Sequence, residues 1–415
     1  MDWRNRIGLY GSYFLGMAGI GFTLPYLPLF LGLDGLSDRA IGLISTLAAL
    51  AGLAQFPAGL WSDRLGTRKP FILLSLAALG IATVLLRGAH GAVWLGVLVV
   101  LFAENGICRA TVESLAGAEA TALALPGQTA AALGALRFWK PVGIIAVAGV
   151  GSVLAKRYGV RSILGPLAVV QLLAAATASL IHEPAGAKHV EARPRKGAGS
   201  PMQRLPRDAG LWAFVAAMVL FHTANAPGGV YLGLFLKRDL HASEDILAYA
   251  FIVSMIVWML VVWPAGWLAD RCGRKPLLVA GWTVMALRLA LVAVAQSPAQ
   301  IVAIQALDGL ANGLFAVLAA AWVTDRLADP RRMGEAQVIV GTSLVLGSAI
   351  GPAVAGLLVG SIGYRVLFGV LAGVGALATL LVVAFVPETV TRHREVHADR
   401  FVEPMATLTD LSTTP

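Results

Sequence analysis

The sequence predicts an all-α membrane protein: twelve transmembrane helices in two pseudo-symmetric six-helix bundles. Three observations predict it. The 415 residues are 58% hydrophobic and only 13% charged, with a mean hydropathy of +0.77, whereas a soluble domain carries roughly 25% charged residues. Runs such as "FIVSMIVWMLVVWPAGWLA" enter segments long enough to cross a bilayer, which takes about 20 largely apolar residues. Finally, "GLWSDRLGTRKP" at 59–70 returns as "GWLADRCGRKP" at 266–276, a repetition too odd for chance.

Taken in order, the apolar runs place spans 1 to 12 near 8–31, 38–62, 71–88, 92–117, 128–155, 160–181, 209–236, 244–268, 277–296, 299–325, 335–360 and 364–386. Helices are required because lipid offers the backbone groups of an open strand no partners. Span 1 follows "MDWRNR" without a small-residue cleavage site, which predicts a retained span rather than a signal peptide. Cys108 falls in span 4 and Cys272 in a loop, so no disulfide is expected.

The formal charge of +9 reads as topology rather than as nucleic-acid binding, because Lys and Arg orient the loops of polytopic proteins. With both termini inside, the outer loops hold Arg39, Arg87, Lys156, Arg157, Arg161, Lys237, Arg238 and Arg365. Arg109, Arg137, Lys140 and Arg288 fall inside spans, and the rest of the 32 basic residues lie on the inner side. The bias predicts cytoplasmic termini and a place in the cell (inner) membrane, with membrane lipids as partners.

The stretch at 182–208, polar, basic and rich in Pro, Gly and Ala, divides the chain into six spans plus six. It predicts bundles at 1–181 and 209–387, a cytoplasmic linker between them, and a disordered cytoplasmic tail at 388–415. "YGVRSILG" at 158–165 answers "IGYRVLFG" at 362–369, and "AENGIC" at 103–108 answers "ALDGLA" at 306–311. Parallel six-span repeats place a solute path between the halves, near the midplane.

The paired loops after spans 2 and 8 resemble the signature of the major facilitator superfamily, and the twelve-span layout is similar over nearly the whole chain. The resemblance implies that these loops are cytoplasmic, in agreement with the charge bias. Their residues, Gly59, Asp63, Arg64, Gly66, Arg68 and Lys69 in the first copy and Gly266, Asp270, Arg271, Gly273, Arg274 and Lys275 in the second, form a gating motif. Asp63 and Asp270 end helices, where a carboxylate is disfavoured by the helix's own negative end. They suit the positive amino terminus of a helix in the opposite half, and Gly59 and Gly266 permit close approach. The neighbouring Arg and Lys can pair with acidic residues or lipid phosphates. Such a contact forms when the cytoplasmic side closes and breaks when it opens; the alternative is a basic topology anchor, which needs no acid.

Ionisable residues inside spans are costly and mark functional candidates. Span 4 carries Glu104, Arg109 and Glu113, the last two on one face at i, i+4. Span 5 carries Arg137 and Lys140 at i, i+3 with Trp139 between, and Pro141 is expected to bend it. Glu in span 4, then Arg followed by an aromatic residue in span 5, resembles the lactose-permease-like branch of the superfamily. That resemblance implies a substrate-binding pair of Glu113 and Arg137, to which Arg109, Trp139, Lys140 and His222 of span 7 are added. "RFWKPVG" departs from the branch's "R-x-x-G-S-x-G" by adding a cation. Arg288 in span 9 and Asp308 in span 10 match the branch's proton relay, with Glu104 as a further proton-coupling candidate. The branch's acid one turn later is Ala311 here, which leaves a single carboxylate. Helix stapling is the alternative for each of these groups. The glycines of "LGSAIGPAVAGLLVG" in span 11 read as close helix packing.

No Walker loop and no metal-ligand spacing is present, so no enzyme, cofactor or metal is expected, and the two-half design disfavours a channel. The reading is a monomeric secondary transporter moving a small polar or anionic metabolite, a small-molecule solute, by alternating access with protons. The alternatives are drug or metabolite efflux by proton antiport, and a transport-inactive sensor or scaffold.

Overall fold

The computed structural model describes residues 3–123, 129–183, 208–327 and 333–389, and the described residues are almost entirely helical. Span 1 is bent by 48° between Trp3–Thr23 and Leu27–Leu33. Spans 2 to 4 are Asp38–Leu65, Lys69–Gly88 and Ala92–Ala122. Span 5 is Thr129–Tyr158, and span 6 is Val160–Ala178. Spans 7 to 10 are Ala209–Arg238, Glu244–Cys272, Arg274–Val294 and Pro298–Leu327. The last helix, Met333–Phe385, has 53 residues, which at 1.5 Å per residue is about 80 Å, far more than the roughly 30 Å of a hydrocarbon core. Gly363, at φ 74° and ψ 167°, interrupts it and separates spans 11 and 12, completing the twelve. All of the linker between His182 and Asp208 except its first two residues and its last lies outside the described residues, as does the tail beyond Thr389.

The repeats noted in sequence recur atom by atom. Gly159 and Gly363 both hold a positive φ, 79° and 74°, which L side chains avoid. Two residues on, Arg161 donates to the Arg87 carbonyl at the end of span 3, and Arg365 donates to the Ala293 carbonyl at the end of span 9. Arg161 also lies over the Phe30 ring, and Arg365 over the Phe235 ring. One clasp, used twice, ties the far end of each bundle.

The motif loops differ by one residue. Gly66 is left-handed at φ 67°, ψ 23° and closes span 2, its neighbour Thr67 donating back to the Ser62 carbonyl. The second copy is shorter, and Gly273 at φ 94°, ψ 162° turns directly into span 9. In both copies a distant carboxylate caps the next helix. Glu183, just after span 6, accepts from the backbone N–H groups of Arg68 (2.6 Å) and Lys69 (2.8 Å). Glu388, just after span 12, accepts from Arg274 and Lys275, both at 2.9 Å.

Among the described residues, the hydrogen bonds and ion pairs between the bundles cluster at one end. On the face opposite the motif loops, Arg238 grips Asp38 at 2.7 Å, Tyr364 donates to Asp38 at 3.1 Å, and Lys156 binds Asp245 at 3.0 Å. Spans 2 and 11 run antiparallel there: Thr46 donates to the Ala349 carbonyl at 2.7 Å, and Tyr231 donates to the Asp38 carbonyl at 3.0 Å. Three of the four span 11 glycines serve packing as expected. A Cβ on Gly347 or Gly351 would strike span 7, and one on Gly356 would lie 2.6 Å from the Tyr231 hydroxyl, while Gly360 faces open space. At the motif face, no hydrogen bond or ion pair joins the two halves among the described residues, whereas the far face is tied by Arg238–Asp38 and Lys156–Asp245.

Candidate translocation site

Span 4 is broken where the sequence predicts a continuous helix. Its first part ends at Phe102 and its second begins at Ile107, so Glu104 stands in the gap, half-buried and with no hydrogen bond or ion pair among the described residues. The gap leaves helix-end carbonyls in need of donors. Arg109 meets that need: its Nε donates to the Phe102 carbonyl at 2.9 Å, and its Nη1 reaches the Gly16 and Met17 carbonyls of span 1 at 3.4 Å. Arg109 is 1% exposed. It is buried in the N-terminal bundle, with its Nη2 unpartnered.

The expected pair of Glu113 with Arg137 is corrected. Glu113 binds the Lys140 ammonium at 3.0 Å and accepts from the Tyr13 hydroxyl at 2.8 Å. Both partners of the ion pair are about one-third exposed. Arg137, one turn nearer the motif face, is exposed and unpaired among the described residues. Trp139 packs edge-on against Phe14. Sequence reasoning missed Tyr13, because a lone tyrosine in an apolar helix carries no spacing signal.

Arg288 and Asp308 are brought together as expected, with Nη1 3.1 Å from Oδ1, inside a wider amide network. Arg288 also donates to Asn225 at 2.9 Å and to Gln305 at 3.0 Å. Asp308 accepts from Ser254 at 2.5 Å and from Asn312 at 3.0 Å, and Asn225 donates to Asn312 at 3.0 Å. The carboxylate joins spans 8, 9 and 10, and span 7 enters the network through Asn225, which bonds to Arg288 and Asn312. His222 lies apart from this network, boxed between Phe221 and Phe315, 6% exposed, with an unpartnered Nε2; it does not line the opening.

The motif loops pair within their own halves. Arg68 binds Asp63 at 3.1 Å and Glu119 at 3.6 Å; Arg274 binds Asp270 at 2.6 Å and Asp325 at 3.2 Å. Arg64 is exposed, Arg271 stacks on Trp267, and Lys275 donates to the Val383 carbonyl. Gly59 has nothing near it, and Gly266 only Val317. Among the described residues, neither Asp63 nor Asp270 contacts the opposite half. Glu119 and Asp325, the acids that answer the two arginines, were not singled out from sequence, since each reads as a helix-end charge.

Two six-helix bundles sealed at one end, open at the other and charged between are the build of a solute transporter. The chain matches the MFS_1 like family over residues 7–370 and belongs to it, a family within the transporters of the major facilitator superfamily. It is 28% identical over 387 residues to an uncharacterized MFS-type transporter of Mycobacterium tuberculosis, covering 88% of this chain and 89% of that one. It is 27% identical over 346 residues to a Deinococcus radiodurans protein named as a candidate sugar efflux transporter, covering 80% and 85%. The crystal structure of a mutant of the nucleoside transporter NupG superposes with a TM-score of 0.79 at 13% identity, covering 92% of this chain and 100% of that one.

Proposed function

We propose that this transporter carries a small polar metabolite bearing an anionic group, exchanging access between the two faces and driven by protons. The charge balance of the spans carries the reading. Arg109 donates through Nε and Nη1 to the Phe102, Gly16 and Met17 carbonyls while its buried Nη2 has no partner, and Lys140 and Arg288 are paired with Glu113 and Asp308. What remains is Arg137, exposed on the open side, and Glu104 in the broken helix. An anionic group suits the first and a hydroxyl or ammonium the second, which describes a zwitterion or an acidic polyol. The sugar and nucleoside in the names of the relatives are likewise rich in hydroxyls. The positive-inside bias puts the open motif face, the linker and both termini in the cytoplasm of a cell (inner) membrane protein, acting as a monomer among lipids.

Asp308 is the proton carrier in this reading. All of its partners here are hydrogen-bond donors: Arg288, Ser254 and Asn312. Loading a proton turns it away from one donor, and Arg288 keeps Asn225 and Gln305 when that happens. Asp308→Asn is therefore expected to abolish accumulation against a gradient while leaving equilibrium exchange. The test is uptake of labelled zwitterions and acidic sugars into proteoliposomes, with substrate-induced pH change read in weak buffer. Proton movement that persists in Asp308→Asn would place coupling elsewhere, with Glu104 next. A second reading, efflux by proton antiport, is favoured by the Phe14–Trp139 contact, which sets apolar surface beside the Glu113–Lys140 pair. Counterflow with an inward proton gradient distinguishes the two directions.

A further inference from the structure

The open face needs a part that closes it, and spans 5 and 8 contain a candidate outside the motif loops. These spans run antiparallel and touch at the far face through Lys156 and Asp245. An α-helix repeats its direction every 18 residues, five turns of 3.6. Phe138 lies 18 residues before Lys156, and Trp263 lies 18 residues after Asp245. On the regular helical repeat both aromatic rings fall on the stripes that face each other at the far end, about 27 Å nearer the motif face, with Pro141 between Phe138 and Lys156 on span 5.

Exposure along the two stripes changes with depth. On span 5, the Lys156 side chain is 63% exposed at the far face, Gly149 and Ile145 are partly covered, and Phe138 is 55% exposed. On span 8, Asp245 is buried and Ile252 half-buried, and Trp263 reaches 89% exposed. The span 8 stripe is thus progressively uncovered towards the motif face, and the span 5 stripe is uncovered again at Phe138. Trp263 is matched in register by a second ring across the opening, which a tryptophan placed only to meet lipid headgroups would not require.

We infer that Phe138 and Trp263 meet when the motif face closes, forming an aromatic seal between spans 5 and 8 that is separate from the motif loops. The inference rests on the alternating-access reading above. Offset or edge-on aromatic pairs contribute beyond their buried area. Trp263→Ala is accordingly expected to shift the closed-to-open ratio by roughly 2- to 10-fold towards open, with Trp263→Phe close to wild type.

The test uses the full chain with Cys108 and Cys272 replaced by Ala. Phe138→Cys with Trp263→Cys should cross-link with a short bifunctional thiol reagent well above a control, Ala146→Cys with Val261→Cys, whose positions lie off the stripes. Linking Thr46→Cys to Ala349→Cys first, which holds the far face shut, should abolish the 138–263 product. Spin labels at Leu180→Cys and Phe385→Cys report opening independently by electron–electron resonance. Two distance populations without the 138–263 product would overturn the seal and leave alternating access standing, with Phe138 and Trp263 facing lipid. A single population without the product would overturn both.

Discussion

Arg109 stands inside a span because the backbone, rather than a ligand, is its partner. Its Nη2 presses against Gly19, where an added Cβ would lie 2.3 Å from that nitrogen and 2.6 Å from the Gln171 amide. Both side chains are fully enclosed, Arg109 at 1% and Gln171 at 0% exposure, so neither can yield. Gly19→Ala is expected to cost about 1–3 kcal/mol by overpacking, read as a lowered thermal midpoint in detergent, with substrate preference unchanged in whatever protein survives. Asp208, just before span 7, is a different kind of charge. One oxygen caps the helix through the Gly210 N–H at 2.9 Å, and the other binds Arg326 of span 10. The Arg326 guanidinium holds this carboxyl below the usual aspartate range. A depressed value means that the ionised form is favoured by folding, so its stabilisation is present above the unfolded value of about 3.9 and is lost as pH falls through the folded value. The midpoint difference between wild type and Asp208→Asn should therefore hold through neutral pH and shrink below about pH 4.

The helix caps show what pattern alone could reach at the level of elements. Glu183 and Glu388 each cap a helix more than a hundred residues away in sequence. Replacing either by Ala should cost about 0.5–2 kcal/mol, the range for a lost N-terminal cap. The two losses should add in the double variant, because the sites belong to different bundles; scanning calorimetry of the four proteins checks this. Hydropathy was sufficient for the twelve spans and for the division near Gly363, since length in a bilayer is a hard constraint. It could not locate the break at 103–106, because "AENG" contains no proline and the unpaired carbonyls there are answered by Arg109 from the next turn. Charge type and span number were sufficient to join Arg288 to Asp308. They failed for Glu113, whose choice of Lys140 over Arg137 depends on where one turn of span 5 faces. The amides of Asn225, Gln305 and Asn312 were silent because an uncharged polar residue in a span looks the same whether it serves a network or a packing gap.

For the whole molecule, the far-face seal and the motif loops are the two ends of one lever. Spans 2 and 11 keep a steady antiparallel register: Gly42 lies against Pro352, and Thr46 against Ala349. Continued towards the motif face, that register brings Asp63 level with the first turn of span 11, which begins at Met333. The positive end of a helix favours a carboxylate there. Asp63 is 60% exposed and, among the described residues, is paired with Arg68, so closure is expected to exchange a solvated pair for a charge–dipole contact across the halves. Continuing the span 5–span 8 register in the same way brings Asp270 to the start of span 5 at Thr129. Asp63→Asn keeps the size and removes the charge. It should leave folding intact and weaken the closed state by about 0.3–1 kcal/mol, or up to about 2 if the contact is partly buried, raising the open-to-closed ratio several-fold. Asp270→Asn should act in the same direction and more weakly, since Gly273 already commits the shorter loop to a single turn. Distances between spin labels at Leu180→Cys and Phe385→Cys measure the ratio directly. Unchanged distributions in Asp63→Asn would reduce the loop to a basic anchor and leave closure to the helices themselves.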